Sequence, residues 1–203
     1  FYGVRVQDLK KIQKRLETDH DLSLELYATV NADAMYLAGL IADEKAISKA
    51  DLYKWVDGAY WYMISEYTVP WIAAETEYGY ELGLEWIESD EERIASAGWS
   101  TLSSYASLRP DEELDIARYA ELLDHVEHNI HKAPNRVRFT MNGFVIAVGS
   151  YITALTTKAV EVGKKIGKIS VDMGRTACRV PLAPDYIQKV IDRGSIGKKT
   201  AHV

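Results

Sequence analysis

Apolar residues recur at three- and four-residue steps along almost the whole chain, in runs too short to reach across a four-helix bundle. Val6, Leu9, Ile12 and Leu16, with Lys and Arg between them, predict one amphipathic helix. Asp21 is placed to cap a second through Leu22, Leu24 and Leu26, and 32–42 reads as a third. Ser48 with Asp51 opens a fourth through Tyr53 and Val56, and Pro70 ends or kinks whatever precedes it. Further helices are predicted over 76–87, 89–106, 110–131, 137–151, 156–166 and 185–192, with an irregular stretch over 171–184. No alternating strand pattern runs beyond a few residues. Ten or so short helices, paired roughly every 35–45 residues, predict an all-α, HEAT-like or armadillo-type α-α superhelix, a curved solenoid that offers its concave face to ligands. With 203 residues, 5 Pro and no Gly/Ser-rich linker, 1–203 reads as a single repeat domain.

Charge divides the chain unevenly. Residues 1–128 hold 11 Lys/Arg against 26 Asp/Glu, whereas 129–203 hold 13 against 4. Pairing between the two parts accounts for some of this asymmetry. It does not account for the clustering of Arg136, Arg138, Lys164, Lys165, Lys168, Arg175, Arg179, Lys198 and Lys199, which points to a polyanion, most concretely DNA. The single Cys178 excludes an internal disulfide, fits a reducing compartment and reads as a small buried apolar residue. The longest apolar stretch, 143–155, is too short and too polar to span a bilayer. The expectation is a soluble monomer of the bacterial cytosol that meets no membrane.

Two constellations carry chemistry. Asp57 stands among Tyr53, Trp55, Tyr60, Trp61 and Tyr62; in a continuous helix, Tyr53 and Trp61 each lie one turn from it on the same face. Either these aromatics form core around a solvated acid, or they flank a working carboxylate. Asn135, Arg136, Arg138 and Asn142 follow Pro134 at a predicted helix start, where free N–H groups favour phosphate. Salt bridging to the acidic part is the competing reading. Lys164, Lys165, Lys168, Lys198 and Lys199 are candidate backbone clamps or a solvated face. Gly163–Lys168 has the wrong spacing for a phosphate loop. His125, His128 and His131 lack strong partner ligands for a metal. Glu75 and Glu77, near Trp71 and Tyr78, are a weaker second acid pair.

The chain resembles the AlkD-type DNA alkylation repair family, the HEAT-like 3-methyladenine and 7-methylguanine DNA glycosylases. The resemblance rests on Phe1-Tyr2-Gly3-Val4-Arg5-Val6 with Asp8-Leu9-Lys10-Lys11-Ile12, on Trp86-Ile87-Glu88-Ser89-Asp90 with 95–99, and on Asp172-Met173-Gly174-Arg175-Thr176-Ala177-Cys178 running to Gly197-Lys198-Lys199. It implies a first helical segment before Phe1. It also implies that Asp57 is the key acid, with Tyr53 standing where Trp is usual. Two Arg residues of that family's cleft fall here at Ser96 and about Ala147, so either Arg93, Arg136 and Arg138 approach DNA from other turns or the scaffold binds without catalysing.

The implied reaction is excision of N3- or N7-alkylpurines from duplex DNA. Such a base is already cationic and leaves without protonation, so no cofactor or metal is required. Asp57 would stabilise the oxocarbenium-like sugar and orient water, with Tyr53 and Trp61 lining the lesion. A non-catalytic DNA-structure binder and a protein-interaction solenoid are the alternatives.

Overall fold

A computed structural model describes residues 2–174 and 179–200. Arg175 and Cys178 lie outside the described residues. Eleven α-helices and no strand occur among them: α1 Val6–Leu16, α2 His20–Ala28, α3 Ala32–Ile41, α4 Lys49–Gly58, α5 Val69–Glu75, α6 Gly79–Trp86, α7 Glu92–Leu108, α8 Ile116–Asn129, α9 Asn135–Tyr151, α10 Thr156–Ile166 and α11 Ala183–Asp192. No single helix among the described residues is long and apolar enough to cross a membrane. The chain divides into two compact units at Thr101/Leu102, inside α7.

Short polar side chains start the helices. Ser48 Oγ accepts from Asp51 N–H at 3.1 Å, Asn31 Oδ1 from Asp33 N–H at 3.1 Å, and Asp115 Oδ1 from Arg118 N–H at 3.0 Å. Each such cap stabilises its helix by about 1 kcal/mol. The cap of α2 is Asp19, which accepts from Leu22 N–H at 3.1 Å. Asp21, expected in that place, instead sits in the helix's first turn. Pro70 breaks nothing. It lies in the first turn of α5, directly after a π-helical turn over Ile64–Thr68. The widened turn absorbs the hydrogen bond a proline cannot donate.

In the first unit, α1 and α2 pack on α3, and α3 packs on the π turn and α5. Met35, Ile41, Leu52, Ile64, Leu82 and Trp86 fill its core. Tyr27 stacks on Trp55 at 4.1 Å and donates its hydroxyl to the Trp55 carbonyl, so one contact ties α2 to α4 through both ring and backbone. Burial drives the Tyr27 phenol far above its usual range.

In the second unit, α10 touches α8, α9 and α11, and α11 also lies on α9. Each helix meets its neighbours in sequence, as expected of stacked helical pairs. Tyr119 and Phe144 stack at 5.7 Å, and the buried Tyr119 hydroxyl donates to the Leu102 carbonyl. Two glycines admit α11. A Cβ at Gly149 would stand 2.5 Å from Ile187 Cδ1 and 3.0 Å from Ala159 Cβ; one at Gly163 would stand 2.9 Å from Pro184 Cδ. Gly163 is thus a packing residue inside α10, not part of a phosphate loop.

The Gly149→Val variant is expected to lose about 2–3 kcal/mol of stability in urea unfolding, since overpacking displaces Ile187. Gly143, on the same helix but with nothing within 4 Å of a built Cβ, gives the opposite sign. Gly143→Ala should gain roughly 0.5–1 kcal/mol.

Candidate nucleic-acid interface

In the first unit α4 carries Tyr53 and Asp57 one turn apart. The Asp57 side chain is 78% exposed and faces Arg93 of α7, with Nη2 to Oδ1 at 3.3 Å. Arg93 does more than pair. Its Nη1 donates to the Val56 carbonyl at 2.9 Å and to the Asp57 carbonyl, and its Nη2 donates to Glu91 Oε2 at 2.6 Å. The guanidinium therefore satisfies backbone oxygens left open at the end of α4. Three acceptor residues hold Arg93, which leaves it poorly placed for the phosphate role assigned from sequence.

The Tyr53 hydroxyl donates to Glu85 Oε2 at 2.7 Å, which raises the phenol above its ordinary range. Lys49 Nζ stands 5.9 Å over the Tyr53 ring while paired with Glu81 at 2.7 Å. Trp61 does not share this face. The helix ends at Gly58, and Ala59 N–H returns to the Val56 carbonyl. Trp61 falls in the next turn, its carbonyl accepting from Ile64 N–H and Ser65 N–H, its ring edge-on to Tyr62 at 5.3 Å and packed on the core. The expected triad of Tyr53, Asp57 and Trp61 is thus reduced to a pair, because the helix is not continuous. A cavity of about 430 Å³ beside α4 is lined by Tyr27, Lys54 and Trp55, not by Asp57. Ser96, one of the two positions where a cleft Arg was looked for, is fully buried. Glu75 closes α5, and Glu77 lies in the turn before α6.

In the second unit, the group around Pro134 turns out to be a set of tethers for the following irregular stretch. Asn135 donates to the Asp172 carbonyl at 2.9 Å and accepts from Asp172 N–H at 2.7 Å. Arg138 donates to the Ala133 carbonyl and, at 2.8 Å, to the Ser170 carbonyl. Arg136 lies 4.6 Å over the Phe139 ring and 3.6 Å from Met173 Sδ. Asn142 is buried and donates to the Pro181 carbonyl at 3.0 Å. Asn135, Arg138 and Asn142 were read as phosphate ligands; the structure occupies them with backbone groups instead.

The lysines divide. Lys165 pairs with Glu127 at 2.9 Å, and that carboxylate raises its pKa. Lys158 pairs with Asp124 at 2.8 Å. Lys199 is three-quarters buried or more, and donates to the carbonyls of Ala106 (3.1 Å) and Tyr151 (2.7 Å) and to Asp111 at 2.7 Å. It is an anchor, not a clamp. Lys164, Lys168 and Lys198 are exposed and form no ion pair with a described residue. Among the histidines, His128 meets the Asp124 carbonyl and His131 the Ile166 carbonyl. No three His, Cys, Asp or Glu side chains among the described residues gather as a metal site.

Sequence reasoning missed Tyr186, Lys189 and Arg193. With Lys198 they line a groove of about 580 Å³ floored by Ala147 and Ser150 of α9. Their spacing of three and four along α11 was the available signal.

Residues 1–179 match the DNA alkylation repair enzyme family. The chain belongs to it. Two bacterial relatives are similar along most of their length. An uncharacterized protein of Listeria innocua is 33% identical over 197 residues, 95% of this chain and 84% of its own. One of Listeria monocytogenes is 34% identical over the same shares. A solved structure covers 100% of this chain and 86% of its own, at 37% identity and a TM-score of 0.89. It represents a family of proteins related to the HEAT-like repeat DNA glycosylases, with affinity for branched DNA structures. The all-α, HEAT-like repeat architecture read from the helix spacing is the one this family has.

Replacing Lys199 by Ala should cost roughly 2–3 kcal/mol, because charge-assisted bonds to buried carbonyls are lost. Lys198→Ala should stay within about 0.5 kcal/mol. Likewise Arg93→Ala, which strips donors from the end of α4, is expected to cost about 1 kcal/mol or more, and Asp57→Asn less than about 0.5 kcal/mol. Urea unfolding monitored by far-UV circular dichroism checks both pairs.

Proposed function

We propose that this protein binds branched or otherwise distorted DNA through its backbone and shape, without excising bases. The observation that carries the reading is the state of Asp57. A glycosylase needs an uncompensated carboxylate in a dry site, where it can oppose charge developing on the sugar. Here the carboxylate is mostly exposed and faces a guanidinium at 3.3 Å. Two unit charges 4 Å apart in water interact by about 1 kcal/mol, roughly fivefold in rate. Known enzymes lower barriers by about 8 kcal/mol or more. The similarity to a protein with affinity for branched DNA, and the basic C-terminal third, support the same reading.

Excision of alkylpurines remains the second reading, favoured by one observation: Tyr53 and Asp57 share a face of α4, an aromatic beside an acid. Two assays separate the two. In fluorescence anisotropy, a four-way junction is expected to bind at least about tenfold more tightly than a blunt duplex of equal length, with log K falling steeply against log salt. A flat salt dependence would leave the protein-interaction solenoid as the surviving reading. With methylated duplex, no 7-methylguanine or 3-methyladenine should appear above the spontaneous rate. Release by the wild type, abolished in Asp57→Asn, would replace the first reading by the second.

A further inference from the structure

We infer that the groove between α9 and α11 seats one unpaired DNA nucleotide, its phosphate held by Lys189, Arg193 and Lys198 and its base laid against Tyr186. This rests on the DNA-binding reading above and names where the distorted part of the DNA is held.

The argument begins with the α11 sequence. Tyr186, Lys189 and Arg193 follow at steps of three and four, as do Asp185, Gln188 and Asp192. The helix thus sorts its charges into two stripes, while Ala183 and Ile187 form its buried edge. Gln188 donates to Asp192 at 2.8 Å along the acidic stripe. Lys189 and Arg193 form no ion pair with any described residue. Close approach at Gly149 then brings the basic stripe against α9.

The tail completes the groove. Gly197 N–H donates to the Ser150 carbonyl at 2.9 Å, and Lys199 is locked onto Ala106, Asp111 and Tyr151. Between these two anchors Lys198 is held exposed at the groove's edge. Three cations that form no ion pair with any described residue therefore line one concavity.

Two further groups say what the occupant is. Ser150 lines the groove, is 4% exposed, and its Oγ has no hydrogen-bond partner. A helical serine ordinarily returns its proton to the carbonyl four residues back. Here that hydroxyl is left unpartnered in the wall of the groove. Tyr186 is 47% exposed, and an aromatic face is of use only to a base that has left its stack. Stacked duplex offers no such face along its length; unpaired nucleotides at a branch point do. The volume of about 580 Å³ lies in the range of sites that enclose a small organic ligand.

The test is anisotropy of a three-way junction with unpaired nucleotides, a short oligo(dT) strand and a blunt duplex, each across a salt series. Lys189→Ala/Arg193→Ala/Lys198→Ala should weaken junction and oligo(dT) binding roughly thirtyfold and reduce the slope of log K against log salt by about 2. Tyr186→Ala should cost about tenfold on the junction and on oligo(dT), and less than about twofold on the blunt duplex. Lys10→Ala/Lys14→Ala/Lys45→Ala, an equal charge change on exposed residues of the first unit, should do markedly less. If the triple variant on the groove keeps wild-type affinity and slope, or the charge-matched variant loses as much, the groove assignment fails while DNA binding stands. A short poly-glutamate peptide bound as tightly as oligo(dT) also overturns it. If the wild type binds none of the DNAs at low salt, the functional reading itself falls and this inference with it.

Discussion

A protein made of short helices has many helix ends, and every end leaves backbone carbonyls without partners. This chain meets much of that demand with cations reaching in from elsewhere. Arg93 covers the end of α4. Lys199 reaches the last turns of α7 and α9 at Ala106 and Tyr151. Arg138 takes the carbonyl of Ala133, just past the 3-10 turn over Ile130–Lys132, and that of Ser170 in the irregular stretch. At the carbonyl end of a helix a positive charge is also favoured by the helix dipole. Within each unit these groups tie helix ends to neighbouring segments, and they are the same residue types that would bind phosphate.

That double use decides which cations are left for a partner. The basic third is less free than its composition suggests. Lys158, Lys165 and Lys199 pair with Asp124, Glu127 and Asp111, which belong to the acidic part of the sequence. Asn135, Arg138 and Asn142 are committed to backbone groups between 133 and 181. Among the cations that form no ion pair with a described residue, Lys189, Arg193 and Lys198 stand out because they converge. Net charge per segment points to a polyanion but does not single out contact residues.

Helix identity was legible in the sequence because the apolar steps are regular, and most predicted helices lie within a few residues of the observed ones. The misses have definite causes. Asp19 and Asp21 both precede an apolar run, and only the extended backbone at Asp19 selects it as the cap. Pro70 looked like a breaker, but a π turn accommodates it at a helix start. Trp61 was placed beside Asp57 on the assumption of a continuous helix, although Gly58 was a stop signal in plain view. Arg138 and Lys199 could not be told from phosphate ligands, since what distinguishes them is a carbonyl 5 to 93 residues away in sequence.

The Arg93 contact also bears on how this scaffold relates to catalysis. A guanidinium aimed at the end of α4 stabilises the helix whether or not Asp57 is charged, because two of its acceptors are backbone oxygens. The carboxylate simply lies within its reach. The arrangement therefore offsets the charge of Asp57 with a group needed for folding. Freeing Asp57 to act on a sugar would require Arg93 to leave, and with it the satisfied end of α4. Binding DNA by its backbone carries no such conflict, since the cations available for it are not those that close the helices.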